Sequence, residues 1–194
     1  MAFLTLVPTD ESGLRASIEK LGKQIQSSSN FRFASQFFFL SGPNPRSPAT
    51  ALSVLNSVIL LEPCHQFLRE TFDPMYDSSF KIEPVHEHCE MAHAGGEFEN
   101  LLASAANDHL GAYSHELRDS TPTEAARIRA IFEQLGPYCA FQLMPGGRPG
   151  CGDCRHHNNH LFSTWFYGVA WDWCFVLTWP GSHKAWVACL TDTD

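Results

Sequence analysis

At 194 residues the chain is long enough to bury one sizeable core, and 44% apolar against 18% charged residues excludes a disordered chain. The net charge is −8, and residues 81–135 hold ten acidic and four basic residues, or −6 of that total; such a segment repels bare nucleic-acid phosphate. No apolar run approaches the roughly 20 residues of a bilayer span, so no membrane contact is expected.

The start, Met1-Ala-Phe-Leu-Thr-Leu-Val7, lacks a basic opening and stops at Pro8, unlike a secretory leader. Seven cysteines cannot all pair within one chain. These features point to a cytoplasmic protein with reduced thiols.

Residues 2–7 read as a short strand. A helix beginning at Thr9 or Asp10 carries Leu14, Ile18, Leu21 and Ile25 on one face, and the polar run 27–30 ends it. Phe31 to Leu40 is aromatic and turn-bounded, which predicts a strand. After the loop 41–47, Ser47 as cap and Pro48 at the first helical position open an almost wholly apolar helix to Leu61. Such a helix is expected to be buried on more than one side. Asp73-Pro74 marks a turn.

Three further helices are predicted. Pro84 to Ala94 is short and closes at Gly95-Gly96. Glu97 to about Leu110 is rich in alanine and leucine. Thr121-Pro122-Thr-Glu124 starts the third, Ile128, Ile131, Phe132 and Leu135 form its apolar stripe, and Gly136 stops it.

From Tyr138 the pattern turns to strands: 138–143, 161–167, 171–179 and 184–190, with a Pro/Gly-rich loop at 144–160 and a turn at 180–183. Trp171, Trp173, Phe175, Leu177 and Trp179 alternate with Asp172, Cys174, Val176 and Thr178, the pattern of a strand with one thick buried face. The whole predicts a single α+β domain over residues 1–194. Its helical layer lies mainly in 10–135, and an antiparallel meander occupies 137–190. About four C-terminal strands, joined by N-terminal ones, carry helices on one face.

Two clusters could hold metal. Cys151-Gly-Asp-Cys154 is half of a zinc site, and His157 and His160 complete a Cys2His2 set, with His156 or Cys139 as substitutes. Four protein ligands would make that zinc structural. The histidines follow more closely than in an ordinary zinc finger, whose pairs stand about twelve residues apart. On a helix, His86, Cys89 or Glu90, and His93 would share one face, and two histidines with a carboxylate suit a catalytic metal. The pattern His-Glu-x-x-His is absent, as are Gly-x-Ser-x-Gly and a phosphate-binding Gly-x-x-x-x-Gly-Lys.

The acidic segment and the aromatic strands suggest a different use. Glu97, Glu99 and Asp108 would attract a basic protein, and Trp165, Tyr167 and Trp186 would anchor it. The reading that follows is a non-enzymatic acidic binding protein, of the kind that neutralises a basic toxin as an immunity protein does. A metal-dependent hydrolase and a zinc-stabilised structural or regulatory subunit are the alternatives.

Overall fold

The computed structural model describes residues 5–9, 12–28, 32–41, 46–59, 90–106, 122–144 and 172–191. In chain order these form β1 (Thr5–Thr9), α1 (Ser12–Ser28), β2 (Arg32–Ser41), α2 (Pro48–Ile59), β3 (Glu90–His93), α3 (Glu97–Ala106), α4 (Pro122–Glu133), β4 (Cys139–Met144), β5 (Asp172–Trp179) and β6 (Lys184–Thr191). The expected strand 161–167 lies outside the described residues. The six strands make one antiparallel sheet in the order β1-β2-β6-β5-β4-β3. The α+β class and the contribution of N-terminal strands are as the sequence predicts.

The turn at 180–183 sets the centre of the sheet. Trp179 faces Lys184, and pairing runs outward to Asp172 facing Thr191. The Ser182 N–H donates to the Trp179 carbonyl at 3.1 Å, and the Leu40 N–H donates to the His183 carbonyl at 2.8 Å, which ties the turn to β2. At one edge, β1 accepts Pro8 within the strand, as an edge strand can when the missing N–H has no ladder to serve.

One helical layer is α1, α3 and α4. It packs on the face that carries Phe33, Phe37, Phe175, Leu177, Trp179, Trp186 and Leu190. The stripe Leu14, Ile18, Leu21 and Ile25 of α1 is buried there, as are Ile128, Ile131 and Phe132 of α4. Gly22 permits the close approach of α1, because a Cβ at that position would lie 2.8 Å from the Phe33 ring. At the end of α4, the Gly136 N–H donates to the Glu133 carbonyl at 2.8 Å, and the glycine takes a positive φ of 97° that stops the helix.

The expectation of helices on one face only is corrected by α2. Its buried residues Ala51, Val54, Leu55 and Val58 come from a helix that packs on the opposite face, against β3, β4 and β5. The even positions of β5, Cys174, Val176 and Thr178, are therefore as buried as the odd ones. Alternation of large and small residues disguised a strand covered on both sides. The start of α2 is as read: Ser47 Oγ accepts from the Thr50 N–H at 3.4 Å, and Thr50 Oγ1 accepts from the Ser47 N–H at 3.3 Å.

A second correction concerns 84–94, read as a helix. Residues 90–93 are the edge strand β3, paired from Glu90 opposite Met144 to His93 opposite Phe141, and the Ala94 N–H continues the ladder by donating to Ala140 at 2.9 Å. Four residues gain little from one helical turn, whose nucleation is unfavourable, and gain backbone bonds at once from β4.

Candidate functional site

The polar feature that most departs from its surroundings is Glu99. It sits in the first turn of α3, a helix buried at every position from Leu101 to Ala106, and is itself only 3% exposed. A carboxylate in such a place needs partners, because desolvation of an unpaired charge is prohibitive. Two are present. The Tyr138 hydroxyl donates to Glu99 Oε1 at 2.5 Å, and Arg129 Nε donates to the same oxygen at 3.1 Å. Glu99 Oε2 is buried and has no hydrogen-bond partner among the described residues.

Three segments meet in this cluster. Glu99 comes from α3, Arg129 from α4, and Tyr138 from the approach to β4, just past the Gly136 stop. Burial, and then the hydrogen bond to Glu99, raise the Tyr138 phenol above its ordinary range, so it stays protonated and remains a donor. The Glu99 carboxylate likewise raises Arg129, chiefly through their hydrogen bond, which fixes that side chain as a cation. The Arg129 side chain is half exposed, at 51%, while Glu99 is enclosed; the pair reaches from the surface into the interior. The Phe132 ring lies edge-on to Tyr138, with centroids 6.0 Å apart. Chemically this is a clamp between two helices and a strand, with one free carboxylate oxygen that can accept a further donor.

Two residues predicted for a partner surface are thus corrected. Glu99 faces inward, where Arg129 and Tyr138 hold it, while the next residue of α3, Asn100, is exposed. Trp186 is 0% exposed and lies among the rings of Phe33, Phe37, Phe98 and Phe132, with centroids 4.8–6.3 Å away. Its β6 position pairs with Leu177, in the centre of the sheet beneath the α1, α3 and α4 layer. Glu97 is the first residue of α3. Asp108, Trp165 and Tyr167 lie outside the described residues.

The metal-site candidates divide similarly. Cys151, Cys154, His157 and His160 lie outside the described residues, and so does His86. Glu90 and His93 are exposed, but they stand three apart on β3, and a strand sends such positions to opposite faces of the sheet. The helical argument that put them on one face does not apply. The His93 ring instead lies 4.9 Å from the ring of Phe141 on the neighbouring strand. Among the described residues, no group of three or more histidine, cysteine or acidic side chains is placed to hold a metal.

Sequence reasoning missed the Glu99 cluster, although a signal existed. Leu101-Leu-Ala-Ser-Ala-Ala106 is almost wholly apolar, the mark of a helix buried on more than one side, and Glu99 shares that helix. It also missed that Cys174 and Cys189 meet across β5 and β6. No helix among the described residues is long and apolar enough to cross a membrane. No protein-family model, curated protein or solved structure matches the chain.

Proposed function

We propose that this is a non-enzymatic acidic binding protein that holds a basic protein, in the manner of an immunity protein that neutralises a basic toxin. The observation that carries the reading is the charge: −8 overall, with −6 of it in residues 81–135. Within that segment Glu99 is committed to an internal clamp, and the exposed carboxylates of Glu90 and Glu133 remain on the surface. Surface carboxylates of one sign raise the encounter rate of a basic partner and repel acidic ones. Phe39, 44% exposed at the end of β2 with the Lys184 ammonium 5.8 Å from its ring centroid, is a large apolar group available to a partner.

The test begins with the intact chain as bait in a lysate of its native cell at low salt, followed by identification of what it retains. The association rate of the purified partner is then measured against ionic strength. A basic protein whose association slows steeply with salt supports the reading. Retention of nothing basic, or a rate indifferent to salt, rejects it.

A further inference from the structure

Cys174 and Cys189 sit directly opposite one another on β5 and β6, and their sulfurs are 3.8 Å apart. Neither is in a disulfide, and both are buried, at 0% and 2% exposed. They lie on the sheet face that carries α2, with Val176, Thr178 and Val187 as buried neighbours on the same two strands. Facing residues of an antiparallel pair have Cα atoms about 4.5–5.5 Å apart, inside the range a disulfide tolerates. Closing the sulfurs to about 2.0 Å therefore asks for side-chain rotation rather than backbone movement.

We propose that Cys174 and Cys189 are a redox pair that closes to a cross-strand disulfide when the protein meets a hydroperoxide. The inference is independent of the binding reading. Hydrogen peroxide, small and uncharged, is the oxidant assigned to a pair buried this deeply. One thiolate attacks a peroxide oxygen, the O–O bond breaks, and the departing hydroxide takes up the proton released by that thiol to leave as water. The resulting sulfenic acid is attacked at sulfur by the second thiolate. The S–S bond forms, the S–O bond breaks, and hydroxide leaves, protonated to a second water. The two thiols together lose two electrons and two protons, and the peroxide is reduced to two waters. The link joins residues 15 positions apart in sequence and fastens the two central strands of the sheet. A dithiol reductant reverses it.

The test uses the full chain. Reduced protein is exposed to hydrogen peroxide, remaining thiols are alkylated in denaturant, and unreduced peptides are mapped. The expected result is one peptide pair joined through Cys174 and Cys189, abolished by dithiothreitol, in protein whose circular dichroism is unchanged and whose Tm is raised. Cys174→Ala and Cys189→Ala should each remove the linked pair and the rise in Tm. Three results overturn the proposal: both thiols still alkylated after other cysteines have oxidised, either one linked to a different cysteine, or the link found only in protein that has lost its native spectrum.

Discussion

The indole N–H of Trp179, at the end of β5, donates to the carbonyl of Phe132 in the last turn of α4 at 3.1 Å. That carbonyl is one of the groups a helix end leaves without an intrahelical partner. It also accepts the Leu135 N–H, at 3.3 Å, so strand and helix end are closed by a shared, buried acceptor. Trp179→Phe keeps an aromatic ring in the core and removes the donor. A loss of about 1–3 kcal/mol, from the missing donor and the smaller ring together, is expected from the midpoint of urea unfolding. An unchanged midpoint would mean that Leu135 alone suffices.

Tyr138→Phe removes a donor from the Glu99 carboxylate and keeps the ring that packs on Phe132 and Trp179. Hydrogen bonds to charged groups contribute about 1.5–3 kcal/mol, so a loss of that order is expected. The pH dependence has a definite sign. The folded phenol titrates above its ordinary value of 10.0, so above that pH the unfolded chain releases a proton that the folded chain retains. The stability Tyr138 provides is complete below about pH 10 and declines as pH rises beyond it. The difference in unfolding free energy between wild type and Tyr138→Phe should therefore shrink from pH 9 to 11. A difference that stays constant over that span would refute the assignment.

For residues 151–160, which lie outside the described residues, we propose a structural zinc held by Cys151, Cys154, His157 and His160. Metal analysis of protein purified without a histidine tag should find one zinc per chain, and Cys151→Ser should lose it together with a fall in Tm. Metal-free wild type would remove the zinc and with it the zinc-stabilised subunit.

Much of the fold was legible because local signals agreed with tertiary demand. The stripe of α1, the Ser47-Pro48 start of α2 and the Gly136 stop of α4 each have a local cause, and each stands where its residues place it. The pairing of Cys174 with Cys189 was missed, although the turn at 180–183 carried the signal for it. Once the turn closes Trp179 on Lys184, the fifth position back faces the fifth position on. What local pattern could not give is what lies across a sheet. Val176 and Thr178 look like the lighter side of β5 until α2, distant in sequence, is laid over them. The strand at 90–93 is the same failure in reverse. Its pattern was compatible with a helix, and the unpaired edge of β4 decided the outcome. Glu99 was read as surface because an acid near a helix start usually is one, and its partners lie 30 and 39 residues away.

The charge-driven partner must now be tested with carboxylates that face solvent. Glu90 on the edge strand β3 and Glu133 at the end of α4 are both exposed and belong to the acidic segment 81–135. The pair Glu90→Ser and Glu133→Ser should leave Tm nearly unchanged, since exposed substitutions of this kind usually lie within about 0.5 kcal/mol. Association with a basic partner should slow several-fold and its dependence on salt should flatten, while dissociation changes less. Glu99→Gln is the internal control. It weakens the clamp with Arg129 and Tyr138, so it should lower Tm and leave the association rate near that of wild type. The opposite pattern, with Glu99→Gln slowing association and the exposed pair silent, would place recognition elsewhere and end the electrostatic account of this surface.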